Sequence, residues 1–502
     1  MPDEREDLPQ TEDLAEILRI RRAKLSKLQE EGRDPFSETR FVRTALTRDI
    51  KENFEAAENN VYSMAGRIMS KRDMGKAFFA DLQDGSGRLQ LYVRINDLGE
   101  EQFAEFKKWD IGDLIGVTGF AFRTKRGEIS LHCQNIKLLS KSLRPLPEKY
   151  HGLTDVETKY RQRYVDLIVN PETRRAFEIR SRFISYVREF LNKRGYMEVE
   201  TPVLNLISGG ASARPFITHH NTLDINMYLR IALELNLKRL IVGGLERVYE
   251  IGRVFRNEGM DTKHNPEFTM IELYESYADY NDMMDLFEEL LSSAAIEILG
   301  SSKVEWMGEQ IDLSPGWERI TMAEAVKRHL GIDFMSFNTD SEAEAAAKSV
   351  GVVLKESNIR KPTWGNLLYE CFDQKVEAKL IQPTFITMHP VDISPLAKRS
   401  ADDPRLTERF ELFICHNEMG NAFSELNDPI DQKQRFINQV EMRNAGDEEA
   451  AMMDEDYILA LEYGLPPTGG LGIGIDRCVM LFTGSDSIRD VILFPTMKPY
   501  EN

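Results

Sequence analysis

Cysteine is scarce in this chain: Cys133, Cys371, Cys415 and Cys478 are the only four in 502 residues, and none sits in a CxxC pair. That excludes a disulfide framework and a thiolate zinc site, and the four are expected to stay reduced, small and apolar. No apolar run reaches membrane-spanning length, so a helical membrane protein is excluded. The N-terminal MPDEREDLPQTEDL is acidic and has no hydrophobic segment, which speaks against secretion or organelle import and leaves the cytoplasm as the expected location. Positive charge is in deficit as well. The 64 Lys+Arg face 83 Asp+Glu, and the net charge of -19 argues against indiscriminate binding of nucleic acid. Internal repeats and low-complexity tracts are absent too.

What is present is an ordinary globular composition, 42% apolar and 29% charged, on a chain long enough for two or three domains. The acidic balance reverses between Lys137 and Arg194, where 14 Lys+Arg stand against 7 Asp+Glu. A basic zone on an acidic chain suits a polyanion that must bind in one place; a solvated, salt-bridged linker has the same signature.

The period of the apolar pattern changes along the chain. Leu14, Ile17, Leu18, Leu25 and Leu28 mark an amphipathic helix that Gly32 ends, within an N-terminal helical extension over residues 1–50. Residues 51–141 then read as short alternating strands, VYSMAGRIM, AFFADLQ, RLQLYVR, LIGVTGFAF and EISLHC, with DGSG and KRGE as turns. Five strands in this length suggest a small closed barrel, with the OB-fold as candidate. Phe78, Ala80, Leu82, Leu89, Leu91 and Val93 are expected inside, leaving Phe79, Arg88, Gln90 and Tyr92 outside. An outward aromatic beside amide and cationic groups is what a single-stranded base needs; a surface Phe capping the barrel is the bland alternative.

SLRPLPEKYHG begins a linker over 142–160, and a second domain is expected over 161–502, with a mostly helical insertion at about 282–381. Asn170 and Pro171 open a long helix with an apolar stripe through Ala176, Ile179, Phe183, Val187 and Phe190, closed by Gly195. YMEVETPVL follows as a strand broken by Pro202. The fold class is therefore α+β.

Three later stretches carry chemistry. FRNEGMDTKHNPEFTMIELY reads as two strands around a polar loop, with Arg256 and Glu258 on one face of the first and Phe268, Met270, Glu272 and Tyr274 on one face of the second. In ERFELFICHNEMGNAFSELNDP, Glu411 and Phe413 share a face, as do Asn421, Phe423 and Glu425. Glu411 and Glu418 are two hard oxygen donors that suit magnesium shared with phosphates. In GGLGIGIDRCVML the glycines at 470, 472 and 474 let backbone approach a ligand, and Arg477 opens a helix. Each signal alone equally fits a solvated sheet face, paired surface carboxylates or a glycine-rich turn.

Together and in this order, GYMEVETP, FRNEGMDTKHNPEF and GLGIGIDR resemble motifs 1, 2 and 3 of the class II aminoacyl-tRNA synthetases. RPLPEKYHGL, YRQRYVDL, ISPLAKR and FSELNDP extend the resemblance over nearly the whole chain, to the bacterial-type lysyl-tRNA synthetases. The resemblance implies an OB-fold anticodon domain followed by an antiparallel sheet flanked by helices, and a homodimer formed through the motif 1 helix and strand. It implies activation of lysine by ATP with Mg2+, then transfer to tRNA(Lys). Arg256 would contact the α-phosphate and the amino-acid carboxylate. Glu258, His264, Asn265 and Phe268 would hold ATP, with Phe268 stacking on adenine and Arg477 covering its other face and the γ-phosphate. Glu411 and Glu418 would bind the metal. For lysine, Glu234 would meet the α-ammonium and Asn421 the carboxylate, while Gly210 and Gly472 line the pocket. Arg72, Phe79, Gln90 and Glu128 match anticodon-reading positions.

Glu272 and Glu425, with Tyr274 and Phe423 beside them, are expected to await a cation, because two nearby buried carboxylates repel. That separates lysine from aspartate, whose own synthetase needs a cation in the pocket. A lysine ligase acting on a protein, an aspartyl or asparaginyl synthetase, and a catalytically silent RNA-binding protein are the rival readings. The chain departs from the family pattern at Leu233 and Asn236, where proline and tyrosine are usual, and at Cys415, His416 and Asn417, in place of Gly-Gly-Arg.

Overall fold

Alternating apolar residues between Val61 and Ser140 close into a five-stranded barrel: β1 (Val61–Asp73), β2 (Ala77–Gln83), β3 (Arg88–Arg94), β4 (Leu114–Arg123) and β5 (Ile129–Ser140), in the order β1-β2-β3-β5-β4. The computed structural model describes residues 11–147, 153, 155–353, 362–447 and 449–499. Within them the chain forms two compact units, Met1–Leu153 and Thr154–Asn502. The first ten residues of the expected extension and all of EKYHG in the expected linker lie outside the described residues.

In the first unit β2 and β3 alternate with period two, so Phe78, Leu82, Leu91 and Val93 are buried while Phe79 and Tyr92 stay at the surface. Such a face costs nothing to leave wet, whereas a one-residue slip in register would turn every apolar side chain outward. The barrel closes tightly at Gly119, where an added Cβ would meet the His132 carbonyl oxygen at 2.0 Å. The helix α1 (Thr11–Glu30) docks through Arg21, whose guanidinium donates to the carbonyls of Ser142 and Arg144.

The second unit is built on an eight-stranded sheet. Its strands are β6 (Met197–Glu198), β7 (Arg247–Phe255), β8 (Glu267–Ser276), β9 (Glu318–Thr321), β10 (Thr384–Thr387), β11 (Arg409–Ile414), β12 (Asn417–Ser424) and β13 (Thr468–Gly474). The order is β9-β10-β11-β12-β13-β8-β7-β6, antiparallel except at the β6–β7 and β9–β10 edges. One face is apolar: Tyr249, Ile271, Leu273, Leu412 and Ile473 pack with the helices α2 (Pro171–Lys193), α3 (Tyr280–Leu299) and α4 (Ile475–Thr483) in one core. The α2 stripe contributes Ile179, Phe183, Val187 and Phe190, all buried. Gly195 follows the helix at φ 80°, a conformation that favours glycine. Burying each such side chain contributes about 1.5–3 kcal/mol, and that fixes the sheet's opposite face as the only one free to carry polar groups.

One sequence expectation is corrected, and two spans hold elements the sequence reading did not name. The first strand of FRNEGMDTKHNPEFTMIELY ends at Phe255, so Arg256 and Glu258 stand on the following loop and not on a strand face. Pro266 cannot extend a ladder, and Arg256 instead donates its N–H to the Pro266 carbonyl at 2.8 Å. The linker span contains the helix Val156–Arg161, which Asp155 caps by accepting from the Thr158 N–H. The insertion read as mostly helical also holds the hairpin Lys303–Trp306 and Glu309–Asp312, plus β9. Its turn, Met307-Gly308, takes φ 52° and 79°, a signal in the sequence that the helix pattern on either side masked.

Candidate active site

The polar face of the sheet encloses a cavity of about 560 Å3, lined by every residue expected from motifs 2 and 3 and, from the ERFELFICHNEMGNAFSELNDP stretch, by Glu411, Glu418, Asn421, Phe423 and Glu425; Phe413, expected on the face of Glu411, is instead buried in a separate core with Leu367 and Phe372. The period-two face of β8 contributes Phe268, Met270, Glu272 and Tyr274, while Ile271 and Leu273 fill the core behind. The loop after β7 contributes Arg256, Glu258, His264 and Asn265. The Arg256 guanidinium lies 5.2 Å over the Phe268 ring. Burial pulls the Arg256 pKa down, against the nearby charges of Glu258 and Glu418. His264 Nδ1 is 2.9 Å from Asp261 at the exposed lip. The Asn265 amide donates to the Glu267 carbonyl at 2.7 Å, so its place is set by the turn.

A bulge brings the acidic groups together. Leu412 pairs with Gly420 but Phe413 pairs with Glu418, so Met419 is the extra residue. Strict alternation would put Glu418 and Asn421 on opposite faces; the bulge returns Glu418 to the cavity beside Glu411 and Asn421. Arg409 holds this edge. It donates to Glu411 at 2.7 Å and to Asn421 at 3.1 Å, and it too lines the cavity. Arg477, in the first turn of α4, donates to the Glu418 carbonyl at 2.5 Å and lies 3.5 Å from its carboxylate.

The buried end of the site is dense with charge. Glu234, Glu272 and Glu425 are all buried, at 7%, 5% and 1% exposure. Gly470 has to be glycine here, because a Cβ would meet Glu425 Oε1 at 2.0 Å and the Tyr274 ring at 2.5 Å. A Cβ on Gly472 would meet nothing nearer than 3.5 Å, so that position has room beside the cavity. Gly210 lines the same space at φ 87°. Burial and the neighbouring Glu234 push the Glu272 pKa up to about 7, even though Glu272 accepts from the Leu233 N–H at 2.9 Å and the Tyr274 hydroxyl at 3.0 Å. A proline at 233 would have no N–H to give, so this departure from the family pattern adds a bond to the pocket.

The expectation that Glu272 and Glu425 stand uncompensated is corrected. Lys238 is fully buried, donates to Glu234 Oε1 at 2.5 Å and pairs with Glu425 Oε2. Its ammonium lies 5.3 Å over the Phe423 ring. Glu425 Oε1 is buried and accepts no hydrogen bond from the protein. Sequence reading missed Lys238 because a Glu-Lys pair four apart on a helix normally marks a solvated face. It missed Arg409 because one more arginine beside Glu408 carries no pattern.

In the first unit Phe79 stacks on Tyr92 with centroids 4.9 Å apart and planes at 25°, so one ring face stays open. Arg72 is the strand neighbour of Phe79, and Gln90 accepts from Ser130 at 3.1 Å. Glu128, two residues before Ser130, is exposed and 3.9 Å from Lys51.

Among the described residues no three His, Cys, Asp or Glu side chains gather as a complete metal cage. Glu411 and Glu418 are oxygen donors in the same cavity, which fits Mg2+ held by one or two carboxylates and completed by phosphates. All four cysteines are free and buried, and no helix among the described residues is long and apolar enough to cross a membrane.

An eight-stranded, largely antiparallel sheet with an arginine-rich, carboxylate-lined cavity, and a five-stranded barrel with an aromatic face, define a class. Residues 155–498 match the family model of class II tRNA synthetases (D, K and N), residues 62–139 match that of the OB-fold nucleic acid binding domain, and the chain belongs to the class II tRNA synthetase family. Within it, the chain is 60% identical over 490 residues to the lysine–tRNA ligase of Pelotomaculum thermopropionicum, covering 98% of this chain and 96% of that one. It is 59% identical to the lysine–tRNA ligase of Thermoanaerobacter pseudethanolicus, over 97% of both chains. With the lysine–tRNA ligase of Clostridium tetani the identity is 54%, over 100% of this chain and 99% of the other.

Proposed function

We propose that this chain is a lysine–tRNA ligase of the cytoplasm. It activates L-lysine with ATP to lysyl-adenylate, releasing pyrophosphate, and transfers the lysyl group to the 3′ terminal adenosine of tRNA(Lys). The observation that carries this reading is the pairing, in one cavity, of a buried acidic end that suits an ammonium with an arginine-lined end that suits phosphates.

Lysine's α-ammonium meets Glu234, its carboxylate meets Asn421 and Arg256, and its ε-ammonium lies among Glu272, Tyr274, Phe423 and Glu425, with Gly210 and Gly472 leaving room. ATP lies between Phe268 and Arg477, held also by Glu258, His264 and Asn265. A carboxylate oxygen of lysine attacks the α-phosphorus in line as the bond to pyrophosphate breaks, and Arg256 takes up the charge that develops there. Positioning and electrostatics supply the catalysis, with no protein nucleophile. Glu411 and Glu418 would hold Mg2+, whose chemistry is to neutralise phosphate charge. Arg72, Phe79, Gln90 and Glu128 read the anticodon, Phe79 by stacking its open face on a base. Exposed Met197, Leu204, Leu206 and Ile217, near the motif 1 strand, support a homodimer.

Pyrophosphate exchange measured across the amino acids, with and without tRNA, tests the whole reading. Lysine-dependent exchange without tRNA, and lysylation of tRNA(Lys), are expected. Exchange driven by aspartate or asparagine, or lysine transfer to protein but not to tRNA, would overturn it.

A further inference from the structure

The cation that pairs with the carboxylates of the lysine pocket is the protein's own. Lys238 is fully buried and is not among the residues that line the cavity; its ammonium stands behind the wall that Glu234 and Glu425 form. It takes Glu234 Oε1 and Glu425 Oε2, one oxygen from each. The groups facing it come from five places: Glu234 on its own helix, Glu425 after β12, the Tyr274 and Phe423 rings on β8 and β12, and the Tyr457 ring at 6.0 Å. Glu425 is therefore pinned by Lys238 at Oε2, while its Oε1 is buried against Gly470 and accepts no hydrogen bond from the protein. An added methyl group at Gly470 would overlap that same oxygen, so the carboxylate has its place only because residue 470 is glycine.

We propose that Lys238 is a positioning residue that gives the pocket its demand for a substrate ammonium, by holding the Glu234 and Glu425 carboxylates in place in the cavity wall. This rests on the lysine reading above and deepens it. Three buried carboxylates with no internal cation would take up protons, since each isolated buried charge is costly. Burial pushes the Glu425 pKa well up even with Lys238 beside it, and Lys238 is the largest influence limiting that rise. A protonated Glu425 accepts an apolar chain end far more easily than a carboxylate does. Loss of Lys238 thus weakens lysine and relaxes the rejection of norleucine, which has lysine's carbon chain and lacks the ε-ammonium.

The test is pyrophosphate exchange with lysine and norleucine at fixed ATP, on wild type, Lys238→Met and Lys238→Arg. Wild-type exchange with lysine checks the lysine reading separately. For Lys238→Met the expected result is a lysine KM raised more than tenfold, an ATP KM within twofold, and a norleucine-to-lysine ratio of kcat/KM raised more than tenfold. Lys238→Arg, which keeps the charge, should bring that ratio to within about threefold of wild type. If the Met variant does not fold, Lys238→Gln, which keeps a donor without the charge, is read by the same ratio. An unchanged or lowered lysine KM, or lysine and norleucine falling together at constant ratio, would overturn the proposal, as would an Arg variant no more selective than the uncharged one.

Discussion

The barrel face and the catalytic cavity are both polar sides of amphipathic sheets, yet they hold their polar groups by different means. On the barrel, Phe79 and Gln90 are half exposed and each is supported by one neighbour, Tyr92 or Ser130. In the cavity, Glu234, Glu272 and Glu425 are buried and fixed by an internal cation, a backbone N–H and a tyrosine hydroxyl. A wet face can lose a side chain with local effect, whereas a buried charged cluster cannot lose one without leaving another uncompensated. Substitutions in the cavity should therefore cost more than those on the barrel, and should cost it in a different step.

The largest effect is expected at Arg256. Arg256→Ala should lower kcat for lysine-dependent exchange by about 100- to 1000-fold, the range for removing one preorganised donor to transition-state charge. Its thermal melt should stay near that of wild type, because the guanidinium faces the cavity. A fall below tenfold would move the charge-stabilising role elsewhere.

Next come the pocket carboxylates. Glu425→Gln should cost about 2–5 kcal/mol in kcat/KM for lysine, the range for breaking a buried, hydrogen-bonded charge pair. Glu272 adds a pH dependence whose sign follows from its raised pKa of about 7. An acid whose folded pKa lies above its unfolded one favours folding below the unfolded value, and that advantage is lost as pH rises through the folded value. The free protein should lose up to about 3 kcal/mol of stability between pH 4.5 and 7 from this group. Lysine binding should run the other way, its KM rising as pH falls below 7. Urea denaturation and exchange kinetics across pH 5 to 8 read both trends, and in Glu272→Gln each should flatten. Persistence of both slopes in that variant would assign them to another group.

The barrel should respond in one step only. Phe79→Ala should reduce kcat/KM for tRNA lysylation by roughly 1–3 kcal/mol, the worth of one stacked base, and leave exchange untouched. Equal losses in both reactions, or none in either, would make Phe79 a packing residue and erase the contrast with the cavity.

How far each region was legible in the sequence follows from the same difference. Along β2 and β3 one side of each strand is core and the other is solvent, so a period of two sorted Phe78 from Phe79 without help from tertiary structure. The face of β8 was legible for that reason as well. The same rule misplaced Arg256 and Glu258, because nothing in FRNEG announces that pairing stops at Phe255. It could not bring Glu418 to the side of Asn421, because an odd separation forbids it unless a bulge intervenes, and the one mark of the bulge, Gly420 beside Met419, is a single glycine in a stretch that otherwise alternates. Lys238 was hidden most completely. Its burial depends on β8, β12 and a helix from residue 455 onward converging around one ammonium, and no local pattern encodes that.

The smallest expected effect concerns the hairpin that carries the cavity's acidic groups. Two residues, Cys415 and His416, join β11 to β12, and both have positive φ, 47° and 51°. A two-residue turn of that kind matches the twist of the strands it joins, and Asn-Gly or Gly-Gly adopt it most cheaply. This explains why glycine is usual in the family pattern at this turn, and it identifies Cys415 and His416 as a local cost that the surrounding sheet outweighs. The turn is anchored regardless: Cys415 and His416 donate their N–H groups to the carbonyls of Ile381 and Leu380 at 2.8 and 2.6 Å. Left-handed backbone costs a residue with a side chain about 1–2 kcal/mol. Glycine's extra freedom in the unfolded chain returns about 0.4–1 kcal/mol of that, so His416→Gly should stabilise by about 1 kcal/mol or less. In a unit of this size that is a rise in melting temperature on the order of 1 °C. Exchange activity should not change, since the hydrogen bond that Lys263 makes here is to the His416 carbonyl and survives the substitution. A lower melting temperature would show that the imidazole contributes more than its backbone costs, and a loss of exchange would make the turn part of the cavity it supports.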